Sequence, residues 1–271
     1  MTAQPSWQYA TANGITLRYL RTGGDLRPLV LAHGFSDSAA CWASWIEALR
    51  ERFDIVAYDA RGHGGSDAPP SRYDVDERVA DLLGLVATLQ LDRPILMGHS
   101  MGGTTAGWAA ISRPGLAHAL VLEDSSLSAP AGASAPPPSD PPRFPEWLLR
   151  LRSRSREELI ALRRSALPRW PDEDVGPWAD SKLELSENAA RVGAHAPRPL
   201  AAALTQLDAP VLILKADAEE PTKARHRAIA ADIPCCHLVH VPGAGHNVRR
   251  DAPEATLRAF EELVETHDLA S

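Results

Sequence analysis

A serine between two glycines is the part of this sequence most typical of covalent catalysis. Residues 98–102 read Gly-His-Ser-Met-Gly and follow an apolar run at 94–97. A G-x-S-x-G segment between a strand and a helix forms a sharp turn that presents the serine hydroxyl as a nucleophile. Its glycines let neighbouring chain pass close by, because they carry no Cβ atom. The segment therefore predicts Ser100 as a nucleophile and the Met101 amide as a donor to an oxyanion.

Two further segments supply the groups that such a nucleophile needs. Residues 33–35 read His-Gly-Phe after an apolar run, and a turn there can offer the Phe35 amide to the same oxyanion. Residues 243–246 read Gly-Ala-Gly-His after a late apolar run, and the glycines leave room for a loop that folds inward. The other histidines lack this combination of strand, glycines and late position. We therefore predict His246 as the general base for Ser100.

Short apolar runs that alternate with helical patterns would position these groups. The runs lie at 28–32, 53–58, 94–97, 119–122, 210–214 and 237–241. Helical patterns lie between and after them, at 75–91, 104–112 and 252–267. This alternation predicts an α/β protein with a mostly parallel sheet and helices on both faces. In such a sheet the chemistry lies in loops at the carboxyl ends of the strands.

The stretch 125–204 interrupts the alternation, because it contains no strand pattern. It opens with a connection rich in proline, alanine and serine at 129–145, and helical patterns follow at 145–154, 156–166 and, more weakly, 181–194. We interpret it as a helical cap (125–204) inserted into a core domain formed by 1–124 and 205–271.

Tryptophans near the predicted site indicate the kind of substrate. Trp147, Trp170 and Trp178 fall in the predicted cap, and Trp42 follows the oxyanion loop. Large aromatic side chains in this position favour binding of an apolar or aromatic acyl or alcohol group. We therefore expect these four tryptophans to contact the substrate.

Together, four segments resemble the α/β-hydrolase superfamily: 33–35, 59–66, 98–103 and 242–246. The resemblance implies the α/β-hydrolase fold, a Ser–acid–His triad, and oxyanion donors at Phe35 and Met101. We interpret 59–66 as a tight loop after a strand rather than as a site. Serine as nucleophile argues against haloalkane dehalogenase or epoxide hydrolase activity, since those enzymes use aspartate in this position.

The acid of the triad is open between three carboxylates. In the resembling family it usually follows the strand after the cap, in a G-x-x-D pattern. Here residues 214–219 read Leu-Lys-Ala-Asp-Ala-Glu, with alanine in place of the glycine, and that register favours Glu219. Asp124 is the main alternative, because it ends the strand after the nucleophile helix, where some family members carry their acid. Asp217 is the third candidate.

Composition restricts the class of partner. The chain has 271 residues and a net charge of −7, which argues against nonspecific nucleic-acid binding and weakly disfavours an anionic membrane surface. No apolar run reaches the roughly 18 residues of a membrane span, and residues 1–14 lack a leader pattern. Cys41, Cys235 and Cys236 have neither disulfide-framework nor metal-ligand spacing. We expect a cytoplasmic protein that acts on a small molecule without metal or cofactor, and its oligomeric state stays open.

These expectations combine into two-step acyl transfer on a carboxylic ester or lactone. His246 would take the Ser100 proton as that oxygen attacks the carbonyl, and water would then release the acid. A C–C bond or amide hydrolase with the same triad is the alternative. A non-catalytic small-molecule receptor is the third hypothesis, and it predicts ligand retention without turnover.

Overall fold

The computed structural model describes residues 6–128, 143–167, 169–195 and 198–270. Within these ranges the strands are β1 (Trp7–Ala12), β2 (Ile15–Arg21), β3 (Pro28–Ala32), β4 (Asp54–Tyr58), β5 (Ile95–His99), β6 (Ala119–Glu123), β7 (Val211–Lys215) and β8 (Cys236–His240). The α-helices are α1 (Ala43–Leu49), α2 (Val75–Thr88), α3 (Met101–Ser112), α4 (Glu146–Arg152), α5 (Arg156–Ala166), α6 (Asp172–Glu184), α7 (Ala201–Leu204), α8 (Glu220–Ala231), α9 (Val248–Asp251) and α10 (Pro253–Thr266). The segments Ala39–Trp42 and Glu187–Ala194 form 3₁₀ helices.

The strands form one sheet in the order β1-β2-β4-β3-β5-β6-β7-β8 among the described residues. From β4 to β8 all neighbouring strands are parallel, whereas β1 pairs antiparallel with β2, and β2 with β4. The predicted mostly parallel sheet is confirmed. Because β3, β5, β6 and β8 run in the same direction, the loops after their carboxyl ends meet at one edge of the sheet.

Helices cover both faces of the sheet, as predicted. Along β3, Val30 belongs to a core cluster that includes Leu82 of α2, whereas Leu29 and Leu31 belong to one that includes Phe260 of α10. Successive side chains of a strand point to opposite faces, so a strand covered on both sides must be apolar at almost every position. This is why β3 to β7 appear in the sequence as continuous apolar runs.

Elements without a continuous apolar run were not predicted from the sequence. The hairpin of β1 and β2 is partly exposed, and α8 buries none of its residues. The weak helical pattern at 181–194 is replaced by the end of α6 and by the 3₁₀ helix Glu187–Ala194. The apolar periodicity of α6 is obscured by three acidic residues in its first turn and by an internal proline.

Helices α4 to α7 lie between β6 and β7 in the chain, where the cap is predicted. They pack on the rest of the molecule through small apolar clusters, one of which joins Trp170 and Trp178 to Cys41. Most of the predicted Pro/Ala/Ser-rich connection, residues 129–142, lies outside the described residues. The division into a core domain and a cap stays a prediction. In the described ranges no helix is both long and apolar enough to cross a bilayer.

Candidate active site

Ser100 occupies a strained turn between β5 and α3. Its φ of 50° and ψ of −111° lie in a region that residues with a side chain rarely adopt, at a typical cost of about 1–3 kcal/mol. The turn is held from both sides, because the Ser100 amide donates to the Glu123 carbonyl at 2.8 Å and the Thr104 amide donates to the Ser100 carbonyl at 3.0 Å. The side chain is thereby placed at the N-terminus of α3, at the edge of the sheet where the functional loops meet.

The glycines around Ser100 are required by close packing of the backbone. A Cβ atom on Gly98 would lie 2.3 Å from the carbonyl carbon of Gly102, and one on Gly102 would lie 2.1 Å from the carbonyl oxygen of Ala32. Real Cβ atoms do not approach so closely, so the start of α3 can lie directly on the ends of β3 and β5 only if these positions are glycine. This is the physical basis of the G-x-S-x-G pattern here.

His246 and Asp124 form a hydrogen-bonded pair beside Ser100. The Nδ1 atom of His246 lies 2.7 Å from Oδ2 of Asp124. This contact raises the pKa of the imidazole, while burial and the charge of Lys215 lower it in part. An Nδ1–H directed at a carboxylate leaves Nε2 unprotonated and able to accept a proton. The pair therefore has the arrangement of a general base and its orienting acid.

The carboxylate on His246 is Asp124 and not the preferred candidate, Glu219. Glu219 is exposed directly before α8, and its side chain makes no hydrogen bond to the backbone there. Asp217 is also directed elsewhere, since it pairs with Lys223 at 2.6 Å and accepts from the Gly243 amide at 2.9 Å. The preference for Glu219 is therefore corrected. The chain turns away from the site after β7. Asp124, by contrast, directly follows β6, which is the strand next to β5, and Ser100 directly follows β5.

A lysine at the end of β7 holds Asp124 from its other side. Nζ of Lys215 lies 2.6 Å from Oδ1 of Asp124 and 3.2 Å from the Ser125 carbonyl. Burial raises the pKa of Asp124, but His246 and Lys215 outweigh burial and hold that pKa well below its usual range. The sequence analysis did not identify Lys215. A lysine at the end of a buried apolar run needs a negatively charged partner, and this requirement could have pointed to Asp124.

The loop that carries His246 is anchored at several points. Nε2 of the buried His99 lies 2.9 Å from the His246 carbonyl, and Asp251 accepts from the Gly245 amide at 2.8 Å. Three residues after His246, Arg249 pairs with Glu123 at 2.8 Å, and both side chains are fully buried. His99 is therefore a packing and hydrogen-bonding residue, in agreement with its interpretation as a non-catalytic position.

The predicted oxyanion donors line two cavities that both include Ser100. Phe35 lines a cavity of about 360 Å³ with Ser100 and His246, whereas Met101 lines one of about 230 Å³ with Ser100. Met101 is the first residue of α3, so its amide belongs to the free N–H groups at the positive end of a helix. The loop of Phe35 is held through Asp37, which pairs with Lys182 at 2.9 Å. Donation by these two amides stays a prediction.

The four predicted substrate-binding tryptophans occupy different environments. Trp147 and Trp178 line the 360 Å³ cavity. Trp170 lines a separate cavity of about 580 Å³ that also includes His246. Trp42 is a correction: it is fully buried against Trp45, with ring centroids 6.2 Å apart, and lines none of these cavities. The 3₁₀ helix Ala39–Trp42 turns its indole into the core beside α10.

Buried cations around the site were not foreseen. Arg249 and Arg250 follow the His246 loop and are both fully buried, and Lys182 of α6 is almost so. Arg163 of α5 and Lys182 line the same cavity as Ser100. The sequence feature that could have indicated these cations is the pair of adjacent arginines soon after the predicted catalytic histidine. No cluster of three or more potential metal-ligating side chains occurs within the ranges that the structure describes.

Replacement of Lys215 should shift the pH dependence of any activity that needs neutral His246. In Lys215→Met the positive charge that lowers the pKa of His246 is lost, so this pKa rises further above its ordinary value of 6.5. The acid limb of kcat/KM, which reports this pKa in the free enzyme, moves to higher pH. Lys223→Met is the matched control and should leave the limb in place, because Lys223 pairs with Asp217 instead. An unchanged or lowered limb in Lys215→Met would contradict this electrostatic coupling.

Comparison with known proteins assigns the family. The Alpha/beta hydrolase family model matches residues 29–259, which is most of the chain. The chain therefore belongs to the alpha/beta hydrolase family, and the resemblance inferred from four short segments is confirmed. The predicted fold class is confirmed with it.

Similar proteins along the whole chain are hydrolases. The 2-(acetamidomethylene)succinate hydrolase of Mesorhizobium japonicum is 28% identical over 263 residues, covering 93% of this chain and 92% of that protein. The 3-oxoadipate enol-lactonase 2 of Acinetobacter baylyi is 27% identical over 269 residues, covering 94% and 95%. The crystal structure of an N-formylmaleamic acid deformylase from Pseudomonas putida S16 matches with a TM-score of 0.77 and 25% identity, over 94% of this chain and 100% of that chain. The predicted enzyme class, hydrolase, is confirmed.

Proposed function

We propose that this hydrolase cleaves a carboxylic ester or lactone of a small molecule through an acyl-enzyme on Ser100. One observation carries the proposal: the strained Ser100 and His246 line the same cavity, and His246 is oriented by Asp124 at 2.7 Å. A nucleophile, a base and an orienting carboxylate in this order are what two-step acyl transfer requires. The enol-lactonase among the similar proteins supports the lactone or ester class.

The reaction proceeds in two matched steps. Ser100 Oγ attacks the carbonyl carbon while Nε2 of His246 takes its proton, and Asp124 stabilises the imidazolium that forms. The Phe35 and Met101 amides donate to the oxyanion, and each such donor is typically worth about 3 kcal/mol. His246 then protonates the leaving alcohol. A water molecule that gives its proton to the same histidine releases the acid and restores Ser100. These residues complete the cycle by themselves.

The cavity favours a substrate with an apolar portion. Trp147 and Trp178 line it together with Leu151 and Phe35. Its volume of about 360 Å³ lies at the lower end of the range for small-molecule sites. We infer that the partner is a small molecule whose apolar part contacts these side chains, not a nucleic acid or a membrane.

Amide hydrolysis is the second candidate function. Two of the similar proteins are named for compounds with an acetamido or a formylated amide group, namely the succinate hydrolase and the deformylase. The same nucleophile, base and oxyanion donors serve amides, provided that His246 protonates a leaving nitrogen. Esters and amides of one acid therefore belong in the same substrate panel.

The test combines turnover with covalent trapping. We expect the purified protein to hydrolyse p-nitrophenyl acetate and butyrate. A fluorophosphonate probe should add one adduct to the peptide that contains Ser100, with activity lost in proportion to labelling. Ser100→Ala should neither turn over nor take the label, and Ser126→Ala, which changes an exposed serine two residues after the acid, serves as the matched serine control. Label on another residue, or full activity in Ser100→Ala, would refute the proposed mechanism.

A further inference from the structure

A guanidinium without an ion-pair partner faces the cavity of Ser100 and His246. Arg163, in the last turn of α5, lines that cavity. Among the described residues no carboxylate lies within 4.0 Å of it, and its buried Nε has no hydrogen-bond partner. A buried cation without a counter-charge is unfavourable unless another group supplies that charge.

The neighbouring charges are already engaged, so they do not meet this need. The three protons of Lys182 go to the Ser36 carbonyl at 2.6 Å, to Asp37 at 2.9 Å and to the Ser181 hydroxyl at 3.1 Å. The other oxygen of Asp37 accepts from Arg250 at 3.0 Å. Asp251, the remaining carboxylate that influences Arg163, accepts from Trp170 Nε1 at 2.6 Å and from the Gly245 amide. Among the described residues that line this cavity, Arg163 is thus the arginine or lysine that is left for a ligand.

Two indole rings hold Arg163 in place without using its hydrogen-bond donors. Its Cζ lies 3.9 Å from the ring centroid of Trp178 and 4.4 Å from that of Trp170. The two rings are perpendicular to each other, with centroids 6.1 Å apart, and Trp170 is fixed by its bond to Asp251. Stacking fixes the plane of a guanidinium and leaves its N–H groups free at the edge, where they match the two oxygens of a carboxylate.

The charge around Arg163 favours an anion. Burial lowers the pKa of Arg163, and the nearby Arg250 lowers it further, which shows that the positive charge is held there at a cost. A bound anion would remove part of this cost, because Arg163 is half-buried and its charge is only partly solvated. An ion pair formed in such a place is stronger than one at the surface.

A second arginine beside Ser100 does not have this freedom. Arg78 lines the 230 Å³ cavity, which also includes Ser100. Its Nη1 donates to the Tyr73 carbonyl at 2.5 Å and its Nε to Thr105 Oγ1 at 3.3 Å. The bond to Thr105 joins α2 to α3, the bond to Tyr73 holds the segment before α2, and together they give Arg78 a structural role. Neither arginine has a carboxylate within 4.0 Å among the described residues, but Arg78 is held by hydrogen bonds, whereas the Arg163 guanidinium makes none there and stays available to a substrate.

We propose, resting on the function proposed above, that the substrate carries a carboxylate that Arg163 binds while the scissile carbonyl lies at Ser100. The substrate class is then an anionic ester, lactone or amide, with its apolar part against Trp147 and Leu151. Arg163 is a specificity-determining residue, because it binds a group of the substrate that does not react. Binding energy at such a group favours the correct substrate over a neutral one of equal size.

The kinetic test compares esters that differ only in a carboxylate. One pair is the mono-p-nitrophenyl ester of glutaric acid against p-nitrophenyl valerate, and the other is 4-acetoxybenzoate against 4-methylphenyl acetate. With rates corrected for the enzyme-free reaction, we expect the wild type to prefer the anionic member of at least one pair about 10-fold or more. Arg163→Gln should lower kcat/KM for that member about 10- to 100-fold, as expected for loss of a hydrogen-bonded charge, and change the neutral member less than about threefold.

Arg164→Gln is the matched control, because it removes the same charge from the adjacent residue. Arg164 is exposed and pairs with Asp172 at 3.2 Å, so it should retain the preference of the wild type. Arg163→Lys keeps the charge but loses the planar fork, and it should retain part of the preference. An equal fall for both members of a pair in Arg163→Gln, or no preference in the wild type for either pair, would overturn the proposal.

A binding measurement separates this inference from the proposed function. Glutarate is titrated by calorimetry into Ser100→Ala, which cannot turn over, and into the double variant that also carries Arg163→Gln. We expect binding by the first protein and at least 10-fold weaker binding by the second. If no ester is hydrolysed but glutarate binds in this Arg163-dependent way, the proposed function fails and the carboxylate site stands. If esters are hydrolysed and glutarate does not bind, the carboxylate site fails alone.

Discussion

Replacement of Asp124 by asparagine is expected to lower kcat about 10³- to 10⁴-fold on the best ester substrate, with the fold unchanged. An asparagine side chain directs its NH₂ group to His246 Nδ1 as readily as its oxygen. It thereby favours the imidazole tautomer whose Nε2 carries the proton and cannot accept one from Ser100. The imidazolium that forms during attack also loses the negative charge that now stands at 2.7 Å. Both effects act on the chemical step and not on substrate binding.

The matched comparison is Glu219→Gln, which removes one carboxylate from the other candidate position. We expect a change of less than about twofold in kcat, since Glu219 is exposed outside the site and the effect of a single exposed charge is small. Steady-state rates of the two variants and the wild type at one pH, with circular dichroism to confirm folding, decide the matter. A collapse of activity in Glu219→Gln with Asp124→Asn unaffected would show that the observed His246–Asp124 pair is not the working one.

The second large effect is on stability and concerns the buried pair of Glu123 and Arg249. Arg249→Met should lower the free energy of unfolding by about 3–5 kcal/mol, because it leaves a fully buried carboxylate without its counter-charge. Burial by itself raises the pKa of Glu123, and Arg249 at present holds that pKa below its ordinary value. The Arg249 guanidinium also donates to the Cys41 carbonyl at 3.1 Å and stacks 3.8 Å from the centroid of Trp42. Urea unfolding followed by circular dichroism measures the loss.

Two controls identify the unpaired charge as the cause. The double variant Glu123→Gln/Arg249→Met should recover part of the loss, because no ion then remains buried. Arg52→Met removes an arginine from a half-exposed pair with Glu261, at 3.4 Å, and should cost at most about 1 kcal/mol. If Arg249→Met cost no more than Arg52→Met, the buried pair would contribute nothing measurable to stability. Glu123 directly precedes Asp124, and Arg249 lies three residues after His246. Loss of the Glu123–Arg249 ion pair should therefore also loosen the positions of His246 and Asp124.

Local residue patterns were enough to propose the candidate nucleophile and the candidate base. The turn of Ser100 requires glycines at 98 and 102, since a Cβ there would overlap backbone of adjoining segments, and that requirement is visible in the sequence. The parallel sheet was also visible, because strands buried on both faces must be apolar throughout. By contrast, the β1–β2 hairpin and α8 have exposed faces, so their patterns carried little information.

The choice of acid depended on a distance between strands that no local pattern encodes. Asp124 and Glu219 both follow apolar runs, and the sheet brings the ends of β6 and β7 to the same edge. The strand register explains why Asp124 lies in the site and Glu219 does not. Glu123 pairs with Leu214, which places Asp124 beside Lys215. The chain beyond Lys215 then turns away, which leaves Glu219 in solvent.

The sequence by itself indicated the fold class, the turn of the candidate nucleophile and the loop of His246, because their packing requirements appear as local residue types, namely apolar runs and glycines without a Cβ atom. Only the tertiary structure decided that Asp124 contacts His246, that Trp42 is part of the core, and that Arg163 lines the cavity of Ser100 with its guanidinium against two indole rings. These arrangements join residues from distant segments. Their geometry is set by how the strands align and how α5 and α6 pack on each other and on the segment Ala39–Leu49, which is a property of the whole fold.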